Sequence, residues 1–413
     1  MPTISKIKNI KAREILDSRG NPTVEVDLET TRGVFTASVP SGASAGKYEA
    51  AELRDKGMRY GGKGVFKAVR NIKEKIFPAI KGKNVLNQGK IDQILIDLDG
   101  TKNKAKLGAN AILPVSVAVC RAGAKAKGVP LYKYISQLSG DKPALPEPCF
   151  NIINGGVHAN NNLDIQEFMI IPRKKFFSES LWLASEIYKS LKEILKEKLG
   201  KAAVNVGDEG GFTPQVSKTK EAINFIMEAI SRAGNGEVKL GLDCAASQFH
   251  NDDKYILEDN VLFRDALLMF YGDLVKNYPI IFLEDPFAED DWQGFSIITK
   301  EFAKKGVDIF GDDLTTTNVQ RIKEAKKKKA CSGVIIKPNQ IGTVTETLEA
   351  VETAKESNWK IMVSHRSGDT CDDFIADLAV GIGADYIKSG APARGERLAK
   401  YNRLLKIEEE IKK

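Results

Sequence analysis

Apolar and polar residues alternate cleanly over residues 23–30, with Val24, Val26 and Leu28 on one face and Glu25, Asp27 and Glu29 on the other. That two-residue period predicts a half-exposed strand. The turn sequence DSRGNP precedes it and TTRG follows, so with residues 4–15 and 34–39 it predicts a three-stranded antiparallel meander. The period then becomes helical. Val65, Val69, Ile72 and Ile76 recur at steps of 4, 3 and 4, and Ile91, Ile94, Leu95 and Leu98 share a face in the next segment. Three prolines in SGDKPALPEP can neither continue a helix nor sit in a central strand. They predict a linker at residues 139–148 after a smaller α+β domain at residues 1–138.

Beyond the linker, residues 150–153 and 164–171 read as strands whose short connection leaves no room for a crossover helix, so they are expected to run antiparallel. Two amphipathic helices follow. One carries Leu181, Ala184, Tyr188, Leu191 and Leu195 and is closed by Gly200; the other carries Ala222, Ile226, Ala229 and Ala233 and is closed by Gly234. Six short apolar runs then stop at Asp243, Glu284, Asp312, Lys337, His365 and Lys388, at steps of 41, 28, 25, 28 and 23 residues. A strand, turn, helix and return loop occupy roughly 25 to 40 residues, so each run predicts one βα unit. Two strands plus six predict an eight-stranded α/β (TIM-like) barrel over residues 149–413, with an irregular ββαα(βα)6 start. A parallel barrel gathers its chemistry at the C-terminal ends of its strands, so the six terminal residues are expected on one rim.

Composition removes several function classes. A chain of 413 residues with 42% hydrophobic and 28% charged residues is a two-domain globular protein by default, not a disordered one. A net charge of +7 is mild for this length and suits attraction of a small anion better than a nucleic-acid surface. Cys120, Cys149, Cys244, Cys331 and Cys371 are widely spaced with no CxxC pair, which argues against zinc and disulfides and fits a reducing cytosol. No signal-peptide core follows the basic residues near the start, and no stretch approaches the roughly 20 apolar residues of a membrane span.

Three carboxylates on one rim, Asp243, Glu284 and Asp312, repel one another unless a cation lies between them. Oxygen-only ligands point to Mg²⁺, with Mn²⁺ as the alternative. Any one of these acids alone would more often cap the following helix; the set of three favours metal. Lys337 and Lys388 end later strands, where an ammonium near another cation and a metal has its neutral form favoured and can act as a base. The glycines of GDEGGF let the backbone around Glu209 turn sharply and approach a ligand. In SHRSG, His365, Arg366 and Ser367 combine a guanidinium fork, a hydroxyl and loop amides suited to phosphate. The small-residue loop PSGASAG is long enough to fold over a ligand. His158, a lone loop histidine in INGGVHANN, reads more often as a surface side chain, and the basic run at 326–329 as a solvated helix C-terminus.

These segments together resemble the enolases, the phosphopyruvate hydratases of glycolysis. The likeness runs in order from AREILDSRGNPTVEV through NIINGG, IQEFM, GDEGGF, LEDPF, GDDL, NQIGTVTET and SHRSG to GAPARGERLAKYN, so it spans nearly the whole chain. The resemblance implies reversible Mg²⁺-dependent dehydration of 2-phospho-D-glycerate to phosphoenolpyruvate. It implies that Asp243, Glu284 and Asp312 hold the first Mg²⁺ and that Ser44 helps hold a second. It also implies Lys337 as the base at C2 and Glu209 as the acid at the C3 hydroxyl with Glu167 beside it, while Gln166, His158, His365, Arg366, Ser367 and Lys388 contact substrate. A cytoplasmic homodimer, or a larger ring such as an octamer, is the implied assembly. The sequence departs from the usual pattern at Ala45, Val157, Gln248 and Pro338. The competing readings are another acid dehydratase of the same superfamily, without the phosphate grip, and a cell-surface binding role for Lys412 and Lys413.

Overall fold

The computed structural model describes residues 5–42, 46–234 and 236–412. Three antiparallel strands, β1 (Ile7–Leu16), β2 (Pro22–Thr30) and β3 (Gly33–Ser38), form the expected meander. Val24, Val26 and Leu28 of β2 are fully buried, the inward half of the alternation seen in the sequence. Helix Ala109–Lys127 packs on β2 and β3 and is buried along most of its length.

The second domain is a closed barrel. Its strands are β4 (Glu147–Asn154), β5 (Glu167–Pro172) and β6 (Val238–Asp243), then, after a small sheet of β7 (His250–Asn251), β8 (Lys254–Leu257) and β9 (Asn260–Leu262), β10 (Ile280–Glu284), β11 (Asp308–Gly311), β12 (Gly333–Ile336), β13 (Lys360–Ser364) and β14 (Tyr386–Lys388). The order β10–β11–β12–β13–β14–β4–β5–β6 closes through parallel pairing of β6 with β10. β5 runs antiparallel to both β4 and β6, as the short connection requires. The helices Phe177–Leu199 and Thr219–Ala233 separate β5 from β6. The β7–β9 sheet explains why the step from Asp243 to Glu284 is the longest of the five: an extra antiparallel sheet is inserted before the helix of that unit. β4 begins at Glu147, so the irregular segment between the domains ends at Pro146 and the third proline, Pro148, is the second residue of the strand.

The barrel is plugged beneath its catalytic end. Cys149, Met169, Ile171, Phe282, Phe310, Ile335, Met362 and Tyr386 form one buried cluster drawn from seven of the eight strands. Phe282 and Phe310 meet edge to face at 5.4 Å, and Tyr386 lies 5.8 and 6.0 Å from them. Glycine makes room for these rings: a Cβ on Gly241 would lie 2.1 Å from the Phe282 ring and one on Gly333 2.5 Å from Phe310. β6 therefore contributes no side chain to this layer at Gly241. The aromatic floor closes the barrel beneath the polar strand ends.

The two domains are clamped by Arg121. Its guanidinium meets Asp372 with a two-point bond of 2.7 and 2.9 Å, meets Asp373 at 2.9 Å and donates to the Thr36 carbonyl. Burial opposes ionisation of Asp372, but Arg121 outweighs it and holds the carboxyl below its usual range. Removing one partner of such a buried pair strands the other charge, whereas replacing both does not. Arg121→Met is accordingly expected to lower unfolding stability by about 3 kcal/mol and Arg121→Met/Asp372→Leu by clearly less; equal losses in calorimetric unfolding would contradict the clamp.

Candidate active site

The strands deliver the expected residues to one buried rim. Asp243, Glu284 and Lys388 are the last residues of β6, β10 and β14, while Asp312, Lys337 and His365 directly follow β11, β12 and β13. The register aligns them, with Asp243 opposite Glu284 and also opposite Glu167 of β5. Lys388 Nζ stands at the centre of the acids, 2.7 and 2.8 Å from the Glu284 oxygens, 3.1 Å from Asp243 and 3.2 Å from Glu167. Gln166 donates to Asp243 at 3.3 Å. Lys337 pairs with Asp312, whose other oxygen accepts from Gln340 at 3.0 Å.

One ammonium cannot neutralise three acids. Burial and the charge of Asp243 push the Glu284 carboxyl well up, and burial and the charge of Glu209 do the same to Glu167. Burial disfavours the Lys388 ammonium, but Asp243, Glu167 and Glu284 outweigh it and hold its pKa above the ordinary lysine range. Burial likewise opposes the Lys337 ammonium, and Asp312 outweighs it. Glu167, Asp243 and Glu284 converge on the Lys388 ammonium while Asp312 pairs with Lys337, and all-oxygen donors of this kind are those a hard divalent ion takes.

Sequence inspection had not singled out Asp285 or Asp313, the second acids of LEDP and GDDL. Asp285 sits at φ +41° and accepts the backbone N–H groups of Asp312 and Asp313 at 3.0 and 2.7 Å. It thus fixes the turn that presents Asp312. Carboxylate oxygens of Asp285, Asp312 and Asp313 lie within 4.8 Å of one another, a second oxygen set able to take a metal. The doubled acid in each motif was the available signal.

Glu209 lines the same cleft as Lys337. Asn151 donates to its carboxylate at 2.9 Å, and His158 Nδ1 and His365 Nε2 each stand 3.5 Å from the other oxygen. His158 is therefore not a surface side chain: it is buried, because Gly207 lets the GDEGGF turn close onto its carbonyl, where a Cβ would lie 2.4 Å away. Burial holds both imidazoles below the usual histidine range, so they are neutral near pH 7. Burial favours the acid form of Glu209; the charges of Arg397 and Lys388 act in the opposite direction, as the two imidazoles would only when protonated. Glu167, within 4.8 Å of His158 and Glu209, is pushed up by burial and by the charge of Glu209, toward its acid form.

Arg366 presents its fork to Glu49 at 2.9 and 3.1 Å and reaches Asn339 at 3.3 Å, while the Ser367 hydroxyl accepts from Arg19 at 3.2 Å. Glu49, Arg366 and Ser367 line the same cleft as Glu209, Lys337 and Lys388, together with Val157 and Gln248. Ser44 and Ala45 fall outside the described residues. Lys412, by contrast, is tied to Glu408 and lies over the Phe176 ring, and Lys413 is outside the described residues. Among the described residues, no helix is long and apolar enough to cross a membrane.

Known proteins carry the same two-part organisation. Residues 7–135 match the family description Enolase, N-terminal domain, and residues 142–413 match Enolase, C-terminal TIM barrel domain. Enolase 1 of Entamoeba histolytica is 53% identical over 421 residues, covering 98% of this chain and 96% of that protein. Enolase B of Dictyostelium discoideum is 53% identical, covering 98% and 95%, and the enolase of Mastigamoeba balamuthi is 52% identical, covering 99% and 96%. With both domains matched and the likeness running through the whole barrel rim, the chain belongs to the enolase family.

Proposed function

We propose that the protein is a phosphopyruvate hydratase, a lyase that reversibly dehydrates 2-phospho-D-glycerate to phosphoenolpyruvate in glycolysis and gluconeogenesis. The observation that carries this reading is that one buried cleft is lined both by a lysine, Lys337, and by a carboxyl pair, Glu167 and Glu209. A base and an acid in one cleft suit removal of a proton from one carbon and delivery of another to the neighbouring hydroxyl.

Lys337 takes the C2 proton, for which it must be neutral; Lys388 and Arg366 nearby disfavour its ammonium and so act in that direction. Loss of that proton builds further negative charge on the substrate carboxylate, toward which Lys388 brings a fixed ammonium. Glu209 then gives a proton to the C3 hydroxyl. The C3–O bond breaks, the C2–C3 double bond forms, and water leaves. Glu167 supplies the proton that Glu209 passes on, consistent with its raised pKa. Arg366 and Ser367 grip the phosphate, and the two-point bond now made to Glu49 is the arrangement a phosphate would adopt on that fork. Gln166, His158 and His365 complete the substrate contacts.

Asp243, Glu284 and Asp312 would hold one Mg²⁺, and Ser44 would help hold a second, with Mn²⁺ able to substitute in the same oxygen set. When bound, the ions supply positive charge beside the carboxylate where negative charge accumulates. Domains at 1–138 and 149–413, a cytoplasmic location and a homodimer, or a larger ring of dimers, belong to the same reading.

Isotope exchange at C2 and formation of the enol phosphate separate the two proton transfers. Lys337→Ala is expected to lose both by about 10²-fold or more, while Glu209→Gln keeps part of the exchange and loses dehydration. Normal exchange in Lys337→Ala would overturn the base assignment. The phosphate grip is tested by substrate choice: an unphosphorylated hydroxy acid is expected to turn over far more slowly than 2-phosphoglycerate, and comparable kcat/KM values would contradict the role of Arg366 and Ser367.

A further inference from the structure

Arg397 lies at the start of helix Gly395–Lys412 and is completely buried, although nothing in the reaction just described uses it. Its Nη1 lies 2.5 Å from His365 Nδ1 and also donates to the Arg366 carbonyl at 2.6 Å. Nη2 donates to the carbonyls of Ser367 at 2.6 Å and Asp208 at 3.1 Å, and reaches the Ser18 hydroxyl at 3.4 Å. One guanidinium thus ties the residue before Glu209 to the loop that carries His365, Arg366 and Ser367. Gly390 makes the approach possible: a Cβ there would lie 2.5 Å from the Glu209 carbonyl and 2.9 Å from Arg397 Cδ. Asp369 at 3.7 Å and Glu396 at 3.4 Å balance the buried charge.

The contact with His365 has a chemical consequence. A guanidinium offers only donors and stays protonated, so His365 Nδ1 must accept. In a neutral ring the hydrogen then resides on Nε2. That nitrogen is buried, has no hydrogen-bond partner among the described residues, and lies 3.5 Å from Glu209.

We propose that Arg397 is a positioning residue for the acid half of the reaction, fixing His365 as the Nε2–H tautomer so that its single N–H faces Glu209. This rests on the assignment of Glu209 as the acid. When Glu209 gives its proton to the leaving hydroxyl, it becomes a carboxylate. The Nε2–H group stabilises that carboxylate by donating a hydrogen bond, without itself being transferred. In the opposite tautomer a lone pair would face the new negative charge, and an imidazole held in the wrong tautomer disables otherwise intact catalytic geometry. The effect falls on C3–O cleavage and not on proton removal at C2, which Lys337 performs from the other side.

The sequence contains three histidines, His158, His250 and His365, so ¹⁵N imidazole spectra of the whole enzyme can be assigned with one His→Gln variant at each position. At pH 7.5 His365 is expected to be neutral with Nε2 protonated; an Nδ1-protonated ring or an imidazolium would overturn the proposal. Arg397→Met is expected to mix the tautomers and to lower dehydration about 10²-fold while C2 exchange falls only a few-fold. Arg397→Lys, which keeps a donor, is expected to recover the tautomer and part of the dehydration rate. Equal loss of exchange and dehydration in a folded Arg397→Met enzyme would overturn it. Should that variant fail to fold, the spectrum of the unaltered enzyme still decides the tautomer. Normal dehydration by Glu209→Gln would instead refute the acid assignment, a result distinct from any change in the His365 spectrum.

Discussion

A single ammonium buried among acids governs the architecture of this site. Lys388 Nζ touches Glu167, Asp243 and Glu284, side chains from strands β5, β6 and β10, while Lys388 itself ends β14. Unpaired, each buried carboxylate would cost several kcal/mol in lost hydration. The pairing makes those strand ends tolerable in a water-poor layer. It also leaves three carboxylates on one ammonium, and burial together with the neighbouring acids pushes the Glu284 and Glu167 carboxyls up. An acidic rim of this kind is able to take a divalent cation.

The supporting structure works at two levels. Below the rim, Phe282, Phe310 and Tyr386 seal the barrel, with Gly241 and Gly333 yielding the space. The seal keeps the local dielectric low and so makes each charge above it count for more. Around the rim, Asp285 sets the turn carrying Asp312, and Arg397 draws together the loops carrying Glu209 and His365. These buried polar groups determine where the reactive groups point, and through the N-terminal domain Glu49 reaches Arg366 from the opposite side of the cleft.

Much of this was legible in the order of residues. Strand-end chemistry shows because a buried parallel strand must be apolar until it emerges, so Asp243, Glu284, Asp312, Lys337, His365 and Lys388 stand out at βα spacing. The alternation of β2 and the helical steps at 65–76 were equally plain. The β7–β9 sheet was hidden inside the long step to Glu284, since short strands of two to four residues leave no periodic signature. His158 looked like an exposed loop residue because its burial depends on Gly207, 49 residues further along the sequence. Arg397 was harder still. It stands in RGERLAK, where charge density reads as solvent-facing helix, and only the packed structure shows its guanidinium surrounded by carbonyls.

Asp243, Glu284 and Asp312 are proposed to form a cation site whose charge Lys388 and Lys337 only partly offset. Titration calorimetry with Mg²⁺ alone, in the absence of substrate, tests it without reference to turnover. The unaltered protein is expected to bind the ion, and Glu284→Gln and Asp312→Asn, each folded by circular dichroism, are expected to bind it at least about tenfold more weakly, the loss that removal of one charged ligand implies. Equal Mg²⁺ affinity in all three proteins would contradict the account.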